Sequence, residues 1–323
     1  MRGIPENPTT TSGAILCGLP KSSPGSLKPP VHRLFKGKTQ GGSMIQLSSQ
    51  QVDVIKNWFF AYVEDFKHGP ETAVENMVLK ENHTCRVCAE ILAIGQSLSL
   101  SPDALRLAEL TALLHDLGRF EQYRRYGTFV DARSVNHAGL SVEVAKSHKI
   151  LEPLNEDLQN LILRVIACHN RASLPEDGSG AFLFFARLLR DADKLDIFKV
   201  VTDYYTRTGN HRNTAIELDL PDTDGFSDEV FASLMDHRIV DIRHLKNFND
   251  FKLFQVGWIF DINFTAAFSA VRSRQYLKKI EAALPASKRL KAMFEMTRNF
   301  VTARIAKGDP PETISDLDGI FTP

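Results

Sequence analysis

An adjacent His115–Asp116 pair ends the apolar run of LLHDLGRF, where a helix should be entering the protein interior. Four more residues with metal-ligating side chains, His83, His137, His169 and Asp193, sit at the ends or on the apolar faces of other helix-like segments. An ionised carboxylate in an apolar interior is costly unless something compensates it. Each histidine alone reads as a core residue bonded to a carbonyl. Four histidines and two carboxylates converging in one core would each need a separate partner, whereas divalent cations satisfy them together. Such a ligand set suits manganese, magnesium, iron, cobalt or nickel without choosing among them.

The elements that must position these residues read as helices. Apolar residues recur at spacings of three and four, and few stretches alternate as strands do, so an all-α fold is expected. Ser101-Pro102-Asp103 offers an N-cap, a first-turn proline and a dipole-matched acid for a helix that Gly118 should close after Asp116. Asn82 should cap a helix starting at His83 and closing near Gly95, and Asn136 one starting at His137. Asn155 should cap a helix whose apolar face runs Leu158, Leu161, Ile162, Val165, Ile166 and then His169, which therefore points inward. A helix over 181–204 carries the stripe Phe182, Phe185, Ala186, Leu189; one turn further is Asp193, while Asp191 falls off the stripe. His148 reads as a charge set against a helix C-terminus. His32, His68, His211, His237 and His244 lack this context and read as surface or core residues.

Composition narrows the class. The 323 residues suffice for a sizeable core, and 43% hydrophobic with 24% charged residues exclude a fibrous or largely disordered chain. A formal net charge of zero gives no support to a stable nucleic-acid complex. The most apolar later stretch, FKLFQVGWIFDINFTAAFSAV, is interrupted by Lys252 and Asp261 before the roughly 20 apolar residues of a membrane span, so a core helix and no membrane association are expected. Four cysteines without a secretory leader suit thiols in a reducing, cytoplasmic compartment. Cys85 and Cys88 form a CxxC with no second pair to complete a structural zinc site, and read as small helix-buried residues.

Residues 1–43, rich in Pro, Gly, Ser and Thr, hold six Lys or Arg against the single acid Glu6 and are expected to be a disordered leader. Residues 44–323 then form one helical domain, with its chemical core at about 78–205 and a helical extension from about 206 to 323. The extension starts with a short extended segment at IELDL and ends in a loose polar tail; its helices would cover the core or build a homodimer surface.

The series His83, His115–Asp116 and Asp193 resembles the HD superfamily of metal-dependent phosphohydrolases, and ALLHDLGRF and RDADKLD match its second and last motifs. His137 in NHAGLSVEVA and His169 in IACHN resemble the two extra histidines of the two-metal subset, which includes HD-GYP proteins. No Gly-Tyr-Pro motif follows, so cyclic dinucleotide hydrolysis is not implied. The resemblance implies an all-α domain in which His83, His115, Asp116 and Asp193 hold one metal. Asp116, the catalytic carboxylate, would bridge to a second metal held with His137 and His169, the pair activating water for attack on phosphorus. The implied substrate is a small phosphomonoester or phosphodiester, with nucleotides among the candidates. Two alternatives share the ligands: a di-iron oxygenase of the HD type, and a non-catalytic nucleotide-sensing module. Arg119, four residues past His115, and Lys194, next to Asp193, are expected at the site mouth as substrate-binding cations. The stretch 119–134 reads either as a specificity loop carrying Tyr123, Arg124, Arg125, Tyr126 and Arg133 or as an ordinary solvated connection, and Asn170 and Arg171 are candidates of the same kind.

Overall fold

The computed structural model describes residues 47–175, 180–206, 217 and 220–309, and among them the regular elements are helices, with no strand. The 1–43 leader, most of IELDL, and the tail from residue 310 lie outside the described residues. In chain order the helices are α1 Ser49–Glu64, α2 Glu71–Ser97, α3 Pro102–Leu114, α4 Leu117–Tyr126, α5 His137–Ser147, α6 Glu156–Cys168 and α7 Gly180–Thr206. They continue as α8 Asp228–Met235, α9 Phe248–Gly257, α10 Thr265–Ser273, α11 Tyr276–Ala282 and α12 Lys288–Lys307. No described helix is long and apolar enough to cross a membrane.

Three caps form as the sequence indicates. The side chains of Ser101, Asn136 and Asn155 accept from the backbone N–H groups of Ala104, Gly139 and Leu158. Each satisfies an otherwise orphaned donor in a first helical turn. Asn82, however, is no cap: α2 runs unbroken for 27 residues from Glu71, through Asn82 and Gly95. Its buried stripe, Met77, His83, Val87, Ile91 and Ile94, continues across the supposed boundary against α3 and α7, and this burial outweighs the local preference of Asn.

Gly118 does not end α3 either. That helix stops at Leu114, and α4 starts at Leu117 with Gly118 inside it. The glycine is needed for helix approach, since a Cβ there would lie 2.5 Å from Ser141 N and 2.6 Å from His137 O on α5. Nor is 119–134 one loop: Arg119–Tyr126 belong to α4, which ends at Gly127 with φ 64°, and Asp131–Arg133 form a 3₁₀ turn. Gly127 takes this left-handed conformation without a Cβ penalty.

Helix α7 is the axis of the core, packed by α2, α3 and α6 and by α10 and α11 of the extension. Phe264 packs edge-on against Phe184 at 5.6 Å, and Tyr276 stacks on Phe198 at the same separation. The extension therefore covers the core. The apolar stretch near residue 260 is not a single core helix, because α9 ends at Gly257 and a 3₁₀ turn, Trp258–Asp261, leads to a second helix. Asp191 fixes this break: its carboxylate accepts from the backbone N–H groups of Asn263 and Phe264, both at 2.9 Å, and from Asn263 Nδ2.

Candidate metal centre

Five segments of the chain deliver six side chains to one place. His83 comes from the middle of α2, His115 and Asp116 from the junction of α3 and α4, His137 from the first turn of α5, His169 from the C-cap of α6 and Asp193 from α7. His83 Nε2 lies 3.2 Å from Asp193 Oδ1 and 3.5 Å from Asp116 Oδ2, and His115 Nε2 is 3.8 Å from each of those oxygens. On the other side of Asp116, Oδ1 is 3.5 Å from His137 Nε2 and 3.8 Å from His169 Nε2. The two oxygens of one carboxylate thus face two groups of ligand atoms. His83, His115 and Asp193 present ligand atoms within 4.8 Å of one another, as do His115, Asp116 and His169.

The outer ring nitrogens are all occupied. Nδ1 of His83 meets Asp196 Oδ2 at 2.7 Å, that of His115 meets Ala112 O at 2.7 Å, that of His137 meets Asp131 Oδ2 at 2.7 Å, and that of His169 meets Ile166 O at 2.8 Å. Each partner is an acceptor, so each Nδ1 carries a proton, and a neutral ring then turns an Nε2 lone pair inward. Burial pushes His115 and His137 below the usual imidazole range and His169 down to about 3, so these three rings are neutral. His83 differs. Burial and Lys80 pull it down, but Asp193 and Asp196 outweigh them and hold it up at about 9. Burial opposes the ionisation of Asp116, yet the cations of Lys80 and Arg119 beside it keep it well below the ordinary carboxylate range.

The centre is consequently crowded with acceptors. His137 Nε2 and His169 Nε2 face each other at 3.0 Å, and His115 Nε2 is buried with no hydrogen-bond partner. Lone pairs and carboxylate oxygens in such proximity repel unless positive charge lies among them. The proton of His83 and the ammonium of Lys80, 3.0 Å from Asp116 Oδ2, supply part of it. Divalent cations fit the remainder, and the hydrogen-bonded Nδ1 atoms are the orientation such ligands require.

The expected substrate-binding residues are placed unequally. Arg119 borders the site, with Nε 3.6 Å from Asp116 Oδ1, while its Nη1 donates to Gln122 Oε1, Phe129 O and Asp131 Oδ1. Lys194 turns away from the ligand cluster to pair with Asp261 at 2.5 Å, a carboxylate it shares with Arg190. Arg190 in turn donates to the carbonyls of His169 and Arg171, tying the end of α6 to α7. Asn170 Nδ2 reaches Asp131 Oδ2 at 3.3 Å, beside His137, whereas Arg124 and Arg125 pair with Glu121. Asp191, expected off the inward stripe, is fully buried because α7 is covered on that face by the extension. His148 is exposed against the rings of Trp58 and Tyr62. Cys85 and Cys88 lie one turn apart within α2.

Three residues around the ligands were not singled out in the sequence. Asp196 orients His83 and is itself gripped by Arg86; Asp131 orients His137; Lys80 contacts Asp116. Asp196 and Lys80 carried a signal, each lying three residues along the same helix from a ligand, Asp193 and His83 respectively. Asp131 carried none, since a short turn sets its direction.

A helical core holding a histidine, an adjacent His-Asp pair and a later aspartate about one centre is the arrangement that the resemblance to the HD superfamily implies. Residues 81–206 match the HD domain family. No match was found among curated proteins or among solved structures.

Proposed function

We propose that the protein is a metal-dependent phosphohydrolase acting on a small phosphomonoester or phosphodiester, with nucleotides among its candidate substrates. The observation that carries this reading is the division of the acceptor cluster by Asp116, one oxygen toward His83 and His115 and the other toward His137 and His169. His83, His115, Asp116 and Asp193 would hold one cation, and Asp116, His137 and His169 a second. Cations so held supply Lewis acidity toward phosphate oxygens and a water nucleophile at neutral pH.

The chain's own residues do the rest. Asp196 and Asp131 fix the planes of His83 and His137 and make their inner nitrogens more basic. Asp193 keeps 18% of its side-chain surface against 4% for Asp116, so it is the more accessible of the two candidate carboxylate ligands. Arg119, held by Asp131 and the Phe129 carbonyl, sets a fixed positive charge beside Asp116.

The test is phosphate release from aryl phosphomonoester and diester substrates by chelator-stripped protein reloaded with manganese. Wild type should turn over only after reloading, and His115→Ala should be inactive while keeping its helical circular dichroism. Oxygen uptake by the iron-loaded protein without phosphate release would contradict the reading, as would substrate binding without turnover.

A further inference from the structure

Of the cationic side chains near the ligand cluster, Arg86 grips Asp196, Arg190 and Lys194 share Asp261, and Arg119 is held through Nη1 by three acceptors with its Nε 3.6 Å from Asp116 Oδ1. Lys80 differs. Among the described residues its ammonium has one hydrogen-bond partner, Asp116 Oδ2 at 3.0 Å, with the Phe129 ring at 5.3 Å. Its side chain is 17% exposed, and it lies on α2 one turn before His83.

The contact is made to an oxygen with a second claim on it. Asp116 Oδ2 is also 3.5 Å from His83 Nε2 and 3.8 Å from His115 Nε2, so a cation taken up by these histidines would take that oxygen as well. Two positive charges against one carboxylate oxygen repel. The lysine stem is long and its head strongly hydrated, so the ammonium is the partner able to leave.

We propose that Lys80 occupies the position of a cation in the metal-free protein and, once metal is bound, turns its ammonium to an anionic oxygen of the substrate phosphate. The phosphate role rests on the phosphohydrolase reading; the competition with metal does not. Lys80, rather than Lys194, is then the lysine that recognises substrate at the mouth. The Phe129 ring gives the displaced ammonium a favourable face beside the site.

The experiment compares wild type, Lys80→Met and Lys80→Arg, each with its melting temperature recorded; Met keeps the stem's bulk without the charge. Calorimetric titration of stripped protein with Mn²⁺ should show Lys80→Met binding about fivefold more tightly than wild type, the effect of losing one competing, largely buried ion pair. Titration of the manganese-loaded proteins with orthophosphate should show Lys80→Met binding about tenfold more weakly, with Lys80→Arg recovering most of the loss. Unchanged or weaker Mn²⁺ binding in Lys80→Met overturns the competition. Unchanged phosphate affinity in that variant, with wild type binding phosphate, overturns the phosphate role alone. Manganese-loaded wild type that binds no phosphate overturns the phosphohydrolase reading and this role with it.

Discussion

Replacing Gly118 with alanine should separate the two helices that bring Asp116 and His137 together. The new Cβ would lie 2.5 Å from Ser141 N, 2.6 Å from His137 O and 2.9 Å from Leu140 C, all backbone atoms that no rotamer change can move aside. Restoring ordinary contact requires α4 to withdraw from α5 by roughly 1 Å in a close-packed interior. Overpacking of this kind costs about 1 to 3 kcal/mol. The same withdrawal strains the bond from Gly118 N to Ser141 Oγ, 2.8 Å long and buried, whose loss costs about 1 to 3 kcal/mol more. A total of about 3 kcal/mol lowers the melting temperature by roughly 4 to 6 °C in a protein of this size. Asp116 immediately precedes α4 and His137 opens α5, so Mn²⁺ uptake measured by calorimetry should weaken by about tenfold or more. Gly139→Ala is the control, since that glycine is exposed and its Cβ would meet only Asn136 Oδ1 at 3.6 Å. It should leave both measurements nearly unchanged. A Gly118→Ala protein with wild-type melting temperature and Mn²⁺ affinity would refute the reasoning.

Asp131→Asn keeps the shape of the residue but weakens the acceptor that orients His137, and should reduce Mn²⁺ affinity by about 10- to 100-fold in calorimetric titration while the helical spectrum persists. Asp191→Ala strips the partners from the buried N–H of Phe264 and the half-buried N–H of Asn263; a loss of about 3 kcal/mol in urea unfolding is expected, with hydrogen exchange accelerated at 263–264. His83, held up at about 9 against an ordinary 6.5, stabilises the metal-free fold most below pH 6.5, and that contribution disappears as pH rises through 9. Metal uptake runs the other way because the proton on His83 must leave, so apparent Mn²⁺ affinity should climb by up to about tenfold per pH unit toward pH 9. A flat affinity between pH 6 and 9 would contradict this.

The convergence of the candidate ligands was legible because inward helical positions repeat every three or four residues, and histidines at such positions stand out. His169 following Val165 and Asp193 following Leu189 were readable without any partner in view. What determines α2 is not local: Asn82 resembles a cap, but the continuous burial of Met77 through Ile94 depends on α3 and α7, which no window of sequence contains. Gly118 was likewise read as a terminator when its lack of a side chain serves contact with α5, a helix starting nineteen residues later. The break near residue 260 depends on the Asp191 carboxylate, more than seventy residues from the Asn263 and Phe264 amides it accepts from, and the burial of that aspartate depends on the same distant segment. Charge placement was least legible, since the direction of Lys194 is set by Asp261 on a later turn.

Metal analysis of folded protein, stripped with chelator, reloaded with Mn²⁺ and freed of unbound ions, tests the proposed ligand set most directly. Two ions per chain are expected in wild type, with uptake sharply reduced in His115→Ala. Folded wild-type protein that retains no manganese, or an alanine variant that retains as much as wild type, would contradict the assignment of His83, His115, Asp116, His137, His169 and Asp193 as ligands.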